Sequence, residues 1–272
     1  MTSPARGWRL VLPMYNVTPA LGLAWQALLG AVIDGLRRRG WADAMHIVPP
    51  PDDLMALWRA PDLLLSQTCG YPLVTELEHD VRVLAVPEFG LPECEGTDYR
   101  SLILVPEQGA RSLQALRGTV AVINQPHSHS GMNALRHTIA PLARDGRFFS
   151  RVIVSGGHMA SIAALQQGRA AVAAVDCATF GLASRAAPER LAGVRQLQTT
   201  APAPGLPLIT SRTLTDIQAQ DVRAVLLSLH DDAPSVLAPL WIRRLCAIDL
   251  DGYAPIRMQA NAAARHGYPT LA

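Results

Sequence analysis

The sequence contains no lysine. All 24 of its basic residues are arginine, and 22 acids nearly balance them. That leaves no basic stripe for a nucleic-acid backbone, so nucleic acid is excluded as a partner. It also means that any anion must be held by neutral donors and helix N-termini, because no arginine falls in the polar turns described below. Cysteine is equally sparse. The residues Cys69, Cys94, Cys177 and Cys246 are too few and too scattered for a disulfide scaffold, and they lack the short spacings of a zinc site. No metal and no cofactor is expected.

Long hydrophobic runs are also missing, apart from Ala20 to Ile33. That run is too short to span a bilayer, and no small-residue cleavage site follows it before Asp34 and Arg37 to Arg39. It reads as an amphipathic helix, with Thr18 as N-cap, Pro19 at the first helical position and Gly40 at the end. Leu21, Trp25, Leu28, Leu29, Val32 and Leu36 form its apolar stripe. Neither a secretion signal nor direct membrane insertion is expected from the sequence.

Short β runs then alternate with helical segments. Strands are expected at Arg9–Leu12, Met45–Val48, Leu63–Leu65 and Val81–Val86, with helices at Leu54–Trp58 and Tyr71–Glu78. A strand at Tyr99–Val105 leads onward to a second series. Its strands are 119–124, Arg151–Val154, Ala171–Val175 and Val194–Gln198, and its helices 131–143, 159–167 and Thr179–Arg185. The stiff Thr199–Pro207 segment returns the chain, and helices are expected at Asp216–Leu229 and Val236–Cys246. The pattern predicts an α/β fold of two lobes, each a mostly parallel sheet flanked by helices, joined by two crossings. Lobe 1 is expected to comprise 1–104 and 206–272, and lobe 2 residues 105–205.

Ligands of such sheets gather at strand carboxyl ends. The turn Gln125-Pro-His-Ser-His-Ser-Gly131 lies at one of them. With Ser130 as N-cap and Gly131 as first helical residue, free N–H groups would point at the space beside Ser128, His129 and Ser130, and the helix dipole would favour negative charge there. Ser130 as a plain helix cap is the competing reading. Tyr15, Tyr71 and Tyr99 stand at expected strand ends, where each either meets a ligand or buries a ring with its hydroxyl in water. His158 opens a helix after Ser155-Gly-Gly and offers a ring donor. Of His127 and His129, at most one should face a ligand. Asp176 has three readings: it caps the next helix, orients His158, or meets a cation on the ligand.

Taken together, Leu64 to Pro72, Tyr99-x-Ser101, Ser128-x-Ser130-Gly131, Ser155-Gly-Gly-His158-x-x-Ser161, Val175-Asp-Cys177 and Gly205-Leu-Pro207 resemble the phosphate/phosphonate-binding (PhnD-like) family of ABC-transporter substrate-binding proteins. The resemblance implies a type II periplasmic-binding-protein fold that captures a small oxyanion between two closing lobes, with an ABC permease as partner. It implies that the Ser128-x-Ser130-Gly131 turn and His158 hold the oxyanion and that tyrosines, here Tyr15, Tyr71 and Tyr99, line the cleft; Gln67, Ser101, His129 and Asp176 complete the expected ligand set from their positions in the chain. Two departures stand out: the N-terminal residues are not expected to form a leader peptide, and Thr179 and Leu208-Ile209-Thr210 occupy the places where acids would hold an amine. Localisation stays open, periplasmic by resemblance and cytoplasmic by the expectation of no leader.

The alternative is a ligand sensor or an enzyme on the same lobes. A pyrimidine-precursor synthase shares the fold, and a hydrolase would use Cys69 as nucleophile with His158 as base. No third orienting group is evident for that pair. Cys69 is instead expected beside Cys94, within disulfide reach.

Overall fold

The computed structural model describes residues 7–272. They form two compact units, each built from non-contiguous segments: residues up to Thr68, Leu73–Gly90 and Gly205–Gly252 in one, and Cys69–Pro72, Leu91–Pro204 and Tyr253–Ala272 in the other.

The first unit is organised on a six-stranded sheet in the order Ile242–Cys246, Val81–Phe89, Leu208–Ser211, Leu63–Gln67, Trp8–Val11, Met45–Ile47. Trp8–Val11 runs parallel to both of its neighbours, as βαβ connections require. Leu208–Ser211 lies antiparallel between Leu63–Gln67 and Val81–Phe89. The helix Pro19–Arg38 has the expected Thr18 cap and Pro19 start, and it buries Leu21, Trp25, Leu28, Leu29, Val32 and Leu36. Its length and composition would suit a membrane span. The buried stripe packs instead on the helix Asp216–Asp232, whose Thr215–Gln218 capping box is complete.

The second unit has a five-stranded sheet in the order Val194–Thr199, Ser101–Pro106, Val172–Asp176, Val120–Ile123, Arg151–Val154. The last three are mutually parallel, and Ser101–Pro106 is antiparallel to both of its neighbours. Its core includes Ile103, Leu116, Leu135, Phe148, Phe149, Val172 and Tyr268. A small sheet of Ala203–Pro204, Asp98–Tyr99 and Cys94–Glu95 completes the unit.

The α/β class is as expected, with three differences. Most strands of each sheet run one way, as expected, but the strand laid down as the chain enters from the other unit runs against its neighbours, and so does the edge strand Ile242–Cys246. The expected helix Val236–Cys246 is a short helix Pro234–Leu237 followed by the strand Ile242–Cys246. Pro239 and the left-handed Trp241 (φ 56°) end the helix, and Arg244 then pairs with Glu88 at 2.7 Å across the ladder. The boundaries also move. Residues 91–104 and 253–272 fall in the second unit, because Ser101–Pro106 is an inner strand of its sheet and the helix Ala254–Arg265 packs on Ala134–Ile139 and buries Ile256 and Ala263.

Candidate functional site

The polar residues of interest in the second unit are set by three strand ends. Val120–Ile123 leads to the Gln125–Ser128 turn, Arg151–Val154 to Ser155-Gly-Gly-His158, and Val172–Asp176 directly into the helix Cys177–Ala186. Asp176 lies across the ladder from Ser101.

The helix after the first turn begins one serine earlier than expected. Its N-cap is Ser128, not Ser130: Gly131 N–H donates to Ser128 Oγ at 3.1 Å. The opening turn is wound wide, with Asn133 N–H reaching back to the Ser128 carbonyl at 3.0 Å. This frees the Ser130 hydroxyl from capping. It also changes the expected cradle of backbone amides, because His129 N–H donates to the Cys69 sulfur at 3.0 Å. A Cβ at Gly131 would stand 2.0 Å from Asn124 Oδ1, so the glycine admits the Asn124 side chain.

His158 joins the three strand ends. Its Nε2 is 2.8 Å from Ser130 Oγ, 3.1 Å from Asp176 Oδ2 and 3.4 Å from Asn124 Nδ2. Burial lowers its pKa more than the Asp176 charge raises it, so the ring favours the neutral form. A lone pair on Nε2 would face the carboxylate, so the neutral ring carries its proton there and donates toward Asp176. Ser130 Oγ can share that proton as acceptor, which leaves its own hydrogen free to donate. Asp176 also caps the helix Cys177–Ala186, accepting from Thr179 N–H and from Thr179 Oγ1 at 2.7 Å each. Two of its three expected roles are thus met together.

Around this contact sit further hydroxyls. Ser128 Oγ is 3.4 Å from Ser130 Oγ. The hydroxyls of Tyr99 and Ser101 are buried without a hydrogen-bond partner. The Tyr99 hydroxyl is held well above the usual tyrosine pKa by burial, with the charges of Cys69 and Asp176 adding to it. It is therefore a donor at neutral pH. The His129 ring lies edge-on to Tyr99, with centroids 6.2 Å apart. Asn133 Nδ2 donates to His129 Nδ1 at 3.1 Å, and Arg136 in turn donates to Asn133 Oδ1 at 2.7 Å. Burial, assisted by His137, lowers the His129 pKa to about 3, so this ring is a neutral support for Tyr99. Tyr71 lies half-buried in the short helix Gly70–Pro72 of the same unit.

Tyr15 and Gln67 belong to the first unit. Tyr15 is buried in a left-handed conformation (φ 64°), its ring stacked on Trp25 at 6.2 Å and edge-on to Phe89 at 5.3 Å. Gln67 Nε2 donates to the Leu206 carbonyl at 3.2 Å.

Cysteine pairing is corrected. Cys69 has its sulfur at the His129 amide, whereas Cys94 Sγ is 3.0 Å from Cys177 Sγ. Sequence reasoning missed Cys177, Asn124 and Asn133. Asn124 follows a predicted strand and carried a usable signal; the other two depend on tertiary packing.

The geometry also speaks against hydrolysis. In a nucleophile–histidine–acid relay the acid holds one ring nitrogen while the other takes the proton. Here Ser130 and Asp176 meet the same nitrogen. Burial raises the Cys69 thiol above its ordinary pKa, which disfavours the thiolate a nucleophile needs. Among the described residues no cluster of three metal-binding side chains occurs. The arrangement can donate hydrogen bonds from hydroxyls and one ring N–H, and it has no evident means of breaking a bond.

Two α/β units built from crossing segments are the fold of type II periplasmic binding proteins. Solved structures share it. A binding protein component of an ABC phosphonate transporter from Pseudomonas aeruginosa has a TM-score of 0.78 at 17% identity, over 96% of this chain and 87% of that one. PhnD1 from Prochlorococcus marinus, in complex with methylphosphonate, has a TM-score of 0.78 at 14% identity, over 96% and 99%. The periplasmic aliphatic sulphonate binding protein SsuA from Escherichia coli scores 0.57 at 15% identity, over 98% and 90%. No curated protein matches by sequence. The model of the family described as "ABC transporter, phosphonate, periplasmic substrate-binding protein" matches residues 60–253, and the chain belongs to that family. It is a solute-binding protein, not an enzyme, of the kind that delivers a small ligand to an ABC transporter.

Proposed function

We propose that the solute is a small oxyanion, a phosphonate or phosphate ester, and that the second unit holds it through the hydroxyls of Tyr99, Ser101, Ser128 and Ser130 with His158 beside them. The observation that carries this reading is the pair of buried, unpartnered hydroxyls on Tyr99 and Ser101, next to a serine whose proton the Asp176–His158 contact leaves free. A buried hydroxyl without a partner costs about 1–3 kcal/mol, a cost that an acceptor-rich ligand removes. The ionised oxygens of a phosphonate accept hydrogen bonds, and the four hydroxyls can each donate one; the single P–OH of a monoanion can in turn donate to a hydroxyl lone pair or to Asp176. In the absence of lysine the charge is balanced by dipoles instead of by an ion pair, an arrangement that works where water is excluded. Asp176 repels a dianion, so a singly charged oxyanion or a zwitterion with an ammonium group fits better than inorganic phosphate at high pH.

A thermal-shift panel of methylphosphonate, 2-aminoethylphosphonate, inorganic phosphate, sulfate and an alkanesulphonate tests this. Stabilisation that grows with concentration is expected for at least one phosphorus oxyanion, since a ligand that binds only the folded state raises its melting temperature. A flat response to every phosphorus compound would overturn the proposal.

A further inference from the structure

The thiols of Cys94 and Cys177 are not part of the hydroxyl cluster, yet they touch it on two sides. Cys94 lies in the small sheet directly opposite Tyr99, so backbone pairing ties its position to the tyrosine. Cys177 is the first residue of the helix that Asp176 caps. The two sulfurs are 3.0 Å apart although 83 residues separate them in sequence, and the Cys177 thiol also donates to the Glu93 carbonyl at 3.3 Å. Cys94 is partly exposed and Cys177 buried.

We propose that Cys94 and Cys177 form a reversible disulfide that clamps the Tyr99-bearing hairpin to the helix capped by Asp176. The oxidant is a low-molecular-weight disulfide such as oxidised glutathione. The partly exposed Cys94, as the thiolate, attacks one sulfur of that disulfide and releases the first glutathione thiolate. The Cys177 thiol loses its proton to solvent and displaces the second glutathione from the mixed disulfide. One protein S–S bond forms, the glutathione S–S bond breaks, and two electrons pass to glutathione, which leaves as two thiols. The hydrogen bond with Cys94, and then burial, hold the Cys177 thiol above its ordinary pKa, and only Cys94 of the pair is partly exposed, so Cys94 is the entry point. The bridge closes a long loop and constrains the unfolded chain strongly. The disulfide follows from the fold alone; its effect on ligand affinity rests on the oxyanion reading.

The test uses the full chain, incubated with oxidised glutathione, denatured under acid, alkylated and mapped by peptide mass spectrometry. The expected product joins the Cys94 and Cys177 peptides and leaves Cys69 and Cys246 alkylated. The oxidised protein should melt about 4–16 °C above the form reduced by dithiothreitol. Cys94→Ser and Cys177→Ser should each abolish that difference, and Cys69→Ser should keep it. Alkylation of all four cysteines, glutathione retained on Cys94, or a bridge to Cys69 would each overturn the proposal. Because the mapping needs no ligand, its failure is distinct from failure of the thermal-shift panel.

Discussion

Both units end strands in polar residues, and the two sets have different fates. In the first unit, Tyr15 is packed between Trp25 and Phe89, and Gln67 gives its amide hydrogen to the Leu206 carbonyl. Gln67 Oε1 and the Ser66 hydroxyl stay buried without a hydrogen-bond partner among the described residues, and they are not linked into a chain of side-chain contacts. In the second, Ser128, Ser130, His158 and Asp176 contact one another in series, and Tyr99 and Ser101 keep hydroxyls that no neighbour uses. Tyr15 and Gln67 are thus engaged within the first unit by ring packing and a carbonyl, whereas the second-unit set is linked from three strand ends beside hydroxyl donors left unspent, which is why the proposed oxyanion site is placed on it.

The contrast is broken most forcefully at Asp176. Asp176→Ala removes the acceptor for Thr179 N–H, Thr179 Oγ1 and His158 Nε2 at once, the threonine buried and the histidine partly so. A loss of about 2–4 kcal/mol in urea unfolding is expected, together with loss of oxyanion binding. Asp176→Asn keeps one acceptor and should unfold later than the alanine variant. If it selectively weakens an aminoalkyl phosphonate relative to its alkyl analogue, the third role of Asp176, meeting a ligand cation, joins the other two.

The two serines give the next largest effect. Ser130→Ala should weaken oxyanion binding by about 1.5–3 kcal/mol and cost less stability than loss of the cap, because Ser130 only shares the His158 proton and is not the cap. Ser128→Ala should cost about 1 kcal/mol of stability through the lost cap, and should weaken binding as well. Equal stability losses in the two variants, measured by urea unfolding, would contradict the assignment of the cap.

Tyr15→Leu sharpens the comparison from the other side. It should lower the melting temperature by exposing the cage of Trp25 and Phe89, while the affinity of the folded fraction stays within about twofold. A large loss of affinity in a folded Tyr15→Leu protein would move the first unit into the site.

Acid gives the most gradual effect. The His129 pKa falls from 6.5 to about 3 on folding, so between those values the unfolded chain binds the extra proton and the folded chain does not. This contribution to stability is fully present above about pH 6.5 and falls as pH drops toward 3, by about 1.4 kcal/mol per pH unit. Urea midpoints from pH 7 to 4 should decline accordingly, and His129→Gln should flatten the slope.

Much of this was legible in the residues. The Pro19–Arg38 helix, the capping box at Thr215 and Gln218, and the α/β alternation all rest on local signals that read as written. The cluster of Ser128, Ser130, His158 and Asp176 was also marked, because each sits next to a strand end that short-range pattern locates. What failed depends on partners distant in sequence. Ser130 and Ser128 are equally good caps on paper; the wide first turn and the Asn124 side chain against Gly131 decide between them. Cys94 could not be matched to Cys177 without the hairpin register that sets it opposite Tyr99. The strand Ile242–Cys246 carries two adjacent arginines that suit a helix as well as an edge, and its pairing with Val81–Phe89 is a tertiary choice.

The central claim is that a hydroxyl set in the second unit holds a phosphorus oxyanion. Isothermal titration of the oxyanion that gives the largest thermal shift, into wild type, Tyr99→Phe and Ser130→Ala, addresses it most directly. The account predicts saturable binding at one site in wild type and affinities about 10–150-fold weaker in each folded variant, the range that corresponds to about 1.5–3 kcal/mol for one hydrogen bond to a charged group. Wild-type affinity retained in both variants would contradict it.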